Sequence, residues 1–211
     1  FLLKQVNHIP AKKKDKLPEK RFKHSLRVAE TAVKLARKWS YEVKGISENA
    51  AKIIVCENNF HGRTTTIVSF SNDPDANQNY GPFTPGFVKI PYNDLAALEE
   101  TLRNDAQNIA AFLAEPIQGE AGVFVPDEGF LKGASELCKK YNVLFIADEV
   151  QTGIARTGKL IACHHEDVQP DILILFVGAK VIAVFAITFS GKNHNYFCNN
   201  LIHLTKLPAL F

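Results

Sequence analysis

Residues 143–158 read VLFIADEVQTGIARTG, a pattern that indicates a buried strand ending at two acidic residues. The apolar, partly β-branched run stops at Asp148 and Glu149, and a loop with two glycines follows. In open α/β sheets, strands of this kind present side chains to a ligand crevice at their carboxyl ends. Asp148 is therefore the first candidate for chemistry, and a protonated ring nitrogen is its natural partner because a carboxylate stabilises a cation most strongly where water is excluded. The alternative is that Asp148 caps a helix.

The rest of the chain alternates between strand and helix periodicities. Strands are predicted at residues 52–56, 109–114, 143–147 and 171–175. Helices are predicted at residues 29–39, 93–103 and 127–141, the last capped near Asp127. This alternation predicts right-handed βαβ units in an α/β three-layer sandwich with a mostly parallel sheet. The strand exits at Asn59, Glu115 and Asp148 would then lie along one edge, where a ligand should bind.

Length and composition are those of a soluble globular protein or of a piece of a larger one. The chain has 211 residues, of which 46% are hydrophobic and 22% charged, with a net charge of +3. We expect a basic, poorly ordered arm at residues 1–28, a partial large domain at 29–175 and a divergent apolar segment at 176–211. Basic residues concentrated in the arm also suit nucleic acid or an acidic membrane, but a solvated arm is favoured, so neither partner is predicted.

The apolar run at residues 172–189 is about long enough to cross a bilayer. Lys180 would lie near its centre, where a charge is costly, and β-branched residues are frequent. Two buried strands are therefore predicted, with a membrane-associated protein as the least favoured alternative.

The cysteine pattern argues for reduced thiols. The four cysteines are Cys56, Cys138, Cys163 and Cys198. None forms a CxxC pair and we expect no secretory leader, which favours a cytosolic or organellar compartment. The run Cys163-His164-His165-Glu166 resembles a metal cluster, but adjacent strand residues point to opposite faces and no second ligand pair has zinc spacing, so no metal site is predicted.

Four motifs together carry a family resemblance. They are NFHGRT at 59–64, EPIQGEAG at 115–122, IADEVQTG at 146–153 and ARTG at 155–158. They resemble the class III, fold-type I aminotransferases, which use pyridoxal 5'-phosphate, over residues 30–175 or roughly 70% of the chain. The resemblance implies an enzyme that transfers the δ-amino group of ornithine to 2-oxoglutarate, a homodimer, and the mitochondrial matrix, with the cytoplasm as the alternative compartment.

The resemblance implies three cofactor-binding residues. Phe60 would stack on the pyridine ring, although an aromatic residue at this place is also typical of an ordinary core. Asp148 would hold the ring nitrogen protonated, and Gln151 would lie near the phenolic oxygen of the ring.

Three further residues would bind substrate by the same resemblance. Arg63 would bind a carboxylate, a task suited to a planar, bidentate cation, whereas the residues alone also allow a surface arginine. Glu115 and Glu120 flank a turn that contains glycine, and Glu120 would pair with an arginine that otherwise binds a carboxylate. Without the resemblance, both acids are equally consistent with a solvated loop.

The chain departs from the family at its covalent and phosphate-binding positions. The family's lysine position, after the strand PDILIL, holds Val177, and the nearest lysine is Lys180. Three residues span about 10 Å in a strand, so Lys180 as the catalytic lysine requires a bulge or loop to absorb the offset. No glycine loop precedes the first helix, where Ser25 is the candidate to hydrogen-bond the phosphate.

Nothing after residue 175 resembles the family, so we expect a truncated or aberrant aminotransferase chain. Two interpretations stay open: an enzyme that is impaired or inactive as this fragment, and a non-catalytic fragment or dimer partner.

Overall fold

A computed structural model describes the backbone of residues 28–177 and 180–185 and the side chains of residues 28–175. Six strands form one sheet in the order β2-β1-β3-β4-β5-β6. They are β1 (Lys52–Cys56), β2 (Phe87–Ile90), β3 (Ile109–Ala114), β4 (Leu144–Glu149), β5 (Ile172–Val177) and β6 (Lys180–Phe185). The neighbours from β2 to β5 pair in parallel, and β6 pairs antiparallel with β5. The predicted mostly parallel sheet is confirmed.

The central strands are buried on both faces, which explains their uninterrupted apolar sequence. Every residue of β3 and of β4 is buried. Phe112 of β3 and Phe145 of β4 lie opposite each other in the register, with stacked rings whose centroids are 5.9 Å apart. The sheet therefore forms the middle layer of the fold.

Helices cover both faces of this sheet and complete the predicted three layers. Five α-helices are described: α1 (Val28–Trp39), α2 (Thr65–Val68), α3 (Pro74–Asn77), α4 (Leu95–Asp105) and α5 (Phe130–Lys140). α1 buries Ala32, Val33 and Ala36 against one face, at the spacing of a helical stripe. α4 and α5 pack on the other face. There Gly133 permits close approach, since a Cβ atom at this position would lie 2.5 Å from Cδ1 of Leu95.

The structure shifts two predicted boundaries. β4 extends through Asp148 and Glu149, so both acids belong to the strand. The helix predicted from residue 127, with a cap near Asp127, begins at Phe130, and its N-cap position is Gly129, whose φ is +89°. The carboxylate of Asp127 instead accepts a hydrogen bond from the amide of Asn93 at 3.0 Å, which ties the start of α5 to the loop before α4.

The apolar run after residue 171 forms two strands, as predicted. β5 and β6 pair antiparallel, with Val177 opposite Lys180, while residues 178–179 and 186–189 lie outside the described part. Within the described residues, no helix combines the length and apolar character needed to span a bilayer.

Candidate active site

A pocket of about 120 Å³ opens at the carboxyl end of the sheet, where β1, β3, β4 and β5 end. It is lined by Val28, Ala29, Phe60, His61, Gly62, Glu115, Asp148, Val150, Gln151 and Ile174. Four of the predicted site residues, Phe60, Glu115, Asp148 and Gln151, therefore meet at one place. Of the three predicted strand exits, Glu115 and Asp148 line this pocket, whereas Asn59 does not, although the next residue, Phe60, does.

Asp148 is 5% exposed and accepts two hydrogen bonds. Its Oδ2 accepts the Nδ1–H of His61 at 2.7 Å, and its Oδ1 accepts the backbone N–H of Val150 at 3.2 Å. No helix begins at Asp148, since the residue lies inside β4 and a turn follows, so the helix-cap alternative is wrong. The carboxylate is held in place by these two donors and remains available to a ligand in the pocket.

His61 connects the loop after β1 to β4 by this hydrogen bond. Burial of its side chain opposes the cation, but the hydrogen bond and charge of Asp148, helped by the charge of Glu115, leave the pKa of His61 raised. Its Nε2 is buried without a hydrogen-bond partner among the described residues. His61 therefore keeps Asp148 oriented as an acceptor and adds positive charge behind it.

Glu115 follows β3 and is 3% exposed. Its Oε2 accepts the backbone N–H of Phe60 at 3.1 Å. The hydroxyl of Tyr92 donates to the backbone carbonyls of Glu115 and Pro116 at 3.1 and 3.0 Å. These bonds fix the turn at the end of β3 and hold the Glu115 carboxyl in the pocket wall.

Glu149 points away from the pocket and fastens the loop that follows β4. Its fully buried carboxylate accepts hydrogen bonds from the hydroxyl of Thr152 and from the backbone N–H groups of Ala162 and Cys163, the latter two at 2.9 Å. These hydrogen bonds hold the far end of the loop, at Ala162 and Cys163, against the end of β4. Gln151 lies in this loop, so Glu149 determines where Gln151 meets the pocket.

Two predicted residues lie at the edge of the pocket. The exposed Glu120 accepts a hydrogen bond from the Nε2 of Gln151 at 3.3 Å, which joins a predicted substrate residue to a predicted cofactor residue. Arg63 lines a second, neighbouring cavity of about 120 Å³ rather than the pocket itself. Its guanidinium lies 5.7 Å from the ring centroid of Phe60, which lines the first pocket.

The comparisons with known proteins agree with this geometry. A profile described as aminotransferase class-III matches residues 27–191, which is most of the chain. The match continues past residue 175, beyond which no further likeness was expected from the sequence. The chain belongs to the class-III aminotransferases. Relatives of this family include the ornithine aminotransferase of Oceanobacillus iheyensis, 50% identical over 88% of this chain and 46% of that protein. The mitochondrial ornithine aminotransferase of Drosophila melanogaster is 62% identical over 69% of this chain and 33% of its own length.

A solved class-III aminotransferase structure matches the fold as well. The ornithine aminotransferase of Toxoplasma gondii ME49 superimposes with a TM-score of 0.70 at 56% identity, over 72% of this chain and 35% of that chain. The chain thus spans between a third and a half of the relatives it matches.

The pocket fits the pyridine ring of the cofactor that class-III aminotransferases use. A buried acid suits a protonated ring nitrogen, and Phe60 offers an aromatic face. Val150 and Ile174 add aliphatic walls to the same pocket. Ser25 and the side chain of Lys180 lie outside the described residues, whereas the backbone of Lys180 begins β6.

Sequence reasoning missed His61 as a site residue. The residue stands inside the NFHGRT motif, but its partner, Asp148, is 87 residues away. The local sequence around His61 does not indicate so distant a partner.

The run from Cys163 to Glu166 forms a 3₁₀ helix and not the expected strand. The described residues contain no cluster of three potential metal ligands. Cys56, Cys138 and Cys163 have buried, free thiols.

Proposed function

We propose that this chain is part of an ornithine-type aminotransferase that transfers the δ-amino group of ornithine to 2-oxoglutarate with pyridoxal 5'-phosphate. The observation that carries the proposal is the buried Asp148–His61 pair in a pocket that also contains Phe60 and Gln151. The high identity to ornithine aminotransferases supports the choice of substrate. The chain spans less than half the length of those relatives. Because Val177 stands at the family's lysine position, we infer an impaired activity.

Several residues of the pocket have proposed roles in binding the pyridine ring of the cofactor. Asp148 would bind the protonated ring nitrogen, while His61 keeps the carboxylate in its acceptor orientation. Phe60 would cover the ring, and Gln151 would donate a hydrogen bond to the ring oxygen. The cofactor supplies an electron sink, which an acid at the ring nitrogen strengthens. Ser25 is the proposed donor to the phosphate.

Substrate recognition falls to three residues in and beside the pocket. Arg63 binds a carboxylate, and its exposed guanidinium is available for this role. The exposed carboxylate of Glu120 suits a cationic amine, and the buried carboxyl group of Glu115 contacts the substrate from the pocket wall. The hydrogen bond from Gln151 to Glu120 supports a connection between the two proposed roles.

The antiparallel pairing of β5 and β6 supports Lys180 as the catalytic lysine. An unbroken strand would separate it from the Val177 position by about 10 Å. Val177 and Lys180 are instead cross-strand partners, and partners in an antiparallel pair have Cα atoms about 4.5–5.5 Å apart. This pairing reduces the offset from the family's lysine position by about half.

A second candidate is a non-catalytic aminotransferase fragment that pairs with another aminotransferase subunit. Val177 at the lysine position favours it. Trapping distinguishes the two candidates: the chain is incubated with pyridoxal 5'-phosphate, reduced with borohydride and mapped by peptide mass spectrometry. The first candidate predicts a label at Lys180 that Lys180→Ala removes and Asp148→Asn weakens, with the exposed Lys89→Ala as control. Scattered labelling of surface lysines, unchanged in these variants, would favour the fragment.

We also propose a homodimer in the mitochondrial matrix. The fly relative that is named mitochondrial supports this compartment, with the cytoplasm as the alternative. Sedimentation of the purified chain and imaging of a tagged chain in cells test these two points.

A further inference from the structure

Three carboxyl groups at the ends of β3 and β4 are buried, and they differ in how many donors they meet. Glu149 accepts three hydrogen bonds and Asp148 accepts two. Among residues 28–175, the side chain of Glu115 accepts a single hydrogen bond, from the backbone N–H of Phe60. A buried carboxylate needs a cation or several donors to stay ionised, and one amide is little compensation for lost water.

The charged groups around Glu115 do not compensate for the hydration that its carboxyl group loses on burial. In the described side chains, no lysine, arginine or histidine nitrogen lies within 4.0 Å of its carboxyl group. The titratable groups that face it are His61, Asp148 and Glu120, together with the buried Cys56 and the half-buried Tyr92. His61 is the only cation in this set, and its Nδ1–H is already given to Asp148.

We propose that Glu115 is the proton-bearing acid of this pocket and donates a hydrogen bond to an oxygen atom of the bound ligand. The carboxyl group lines the pocket, and one of its oxygens already accepts from Phe60, so the other carries the proton toward the ligand. A carboxylic acid that stays neutral selects an acceptor such as the carboxylate or carbonyl oxygen of a 2-oxo acid. This inference rests on the proposed function for the identity of the ligand, but not for the protonation.

The electrostatics of the pocket agree with this role. Burial raises the pKa of Glu115 to about 7. The charge of His61 and the amide of Phe60 act against burial, while the charges of Asp148 and Glu120 act with it. The acid therefore loses its proton in the neutral range, and ionisation removes the donor and adds a second negative charge beside Asp148.

The protonation is tested on the full 211-residue chain without ligand. Urea midpoints of the wild type, Glu115→Gln and the exposed control Glu48→Gln are compared from about pH 5 to about pH 8. The uncharged amide that Glu115→Gln introduces mimics the neutral acid, whereas the wild type loses stability as the pH rises toward the folded-state pKa of Glu115. We therefore expect Glu115→Gln to gain stability over the wild type with rising pH. Glu48→Gln should follow the wild type throughout.

An infrared measurement keeps this part testable if Glu115→Gln does not fold. The folded wild type should show the carbonyl stretch of a protonated carboxyl group near pH 6, a value at which ordinary glutamates are ionised. Absence of that band, or parallel midpoints for wild type and Glu115→Gln across the pH range, would overturn the protonation.

The ligand role is tested by calorimetric binding of 2-oxoglutarate to the chain incubated with pyridoxal 5'-phosphate. We expect wild-type affinity to fall about tenfold per pH unit above about pH 7, while Glu115→Gln lacks this dependence. Parallel profiles refute the donor role. A chain that retains the infrared band but binds neither cofactor nor 2-oxoglutarate contradicts the proposed function and the donor role, and leaves the protonation of Glu115 supported.

Discussion

Replacing Glu149 by glutamine should loosen the loop that follows β4. The carboxylate accepts two backbone N–H groups, one on each oxygen, and the hydroxyl of Thr152. An amide keeps one acceptor oxygen, so one N–H group, that of Ala162 or of Cys163, must face an NH₂ group. Losing a charge-assisted hydrogen bond costs about 1.5–3 kcal/mol and an unsatisfied N–H about 1–3 kcal/mol. The cheaper burial of a neutral side chain offsets part of this, which leaves about 2–4 kcal/mol.

This loss is large against the roughly 5–15 kcal/mol that is typical of a whole domain. In urea it corresponds to a midpoint lower by about 1–2 M, with the exposed Glu48→Gln as the matched control. Hydrogen exchange provides the local measurement, because the amides of Ala162 and Cys163 should exchange faster in Glu149→Gln. An unchanged midpoint with unchanged exchange at both amides would refute the role of Glu149 in closing the loop.

Three further outcomes follow from the packing. Phe112→Ala should lower the free energy of unfolding by about 3–5 kcal/mol in a denaturant titration, because it leaves a cavity beside Phe145; a loss below about 1 kcal/mol would contradict this. Asp94→Ala should lower it by about 1 kcal/mol, since Asp94 caps α4 by accepting the N–H of Ala97 at 2.8 Å, and Asp94→Asn should retain most of that stability. The three buried thiols, whose pKa values burial raises, should resist alkylation at about pH 8 until urea is added, and peptide mapping of labelled native protein would reveal any exception.

The layers of the fold were predictable because the core strands have a strong and simple pattern. Residues 109–114 are continuously apolar and all buried, as expected for a strand covered on both faces. β2 was not predicted, because a four-residue edge strand that is only partly buried has no such pattern. The start of α5 was misplaced because the side chain of Asp127 bonds to Asn93, 34 residues away. Local capping preferences contain no information about such distant partners.

The candidate site was predictable in its members but not in its connections. Phe60, Glu115, Asp148 and Gln151 meet because strand exits in a parallel sheet share one edge. The number of hydrogen bonds that each carboxyl group accepts depends instead on residues distant in the sequence. Asp148 and Glu149 are adjacent in sequence, yet one accepts from a histidine 87 residues earlier and the other from amides 13 and 14 residues later. Arg63 lies in a separate cavity for the same reason, since its place depends on α2 and α3.

The fastened loop after β4 also bears on how tightly a small molecule can be held. A wall that is rigid before the ligand arrives requires little further ordering, so more of the contact energy remains as affinity. Gln151 is positioned by a neighbour that never touches the pocket. Recognition on this side of the cleft is therefore preorganised by the protein interior, and a substitution far from the ligand can weaken binding without removing a single contact to it.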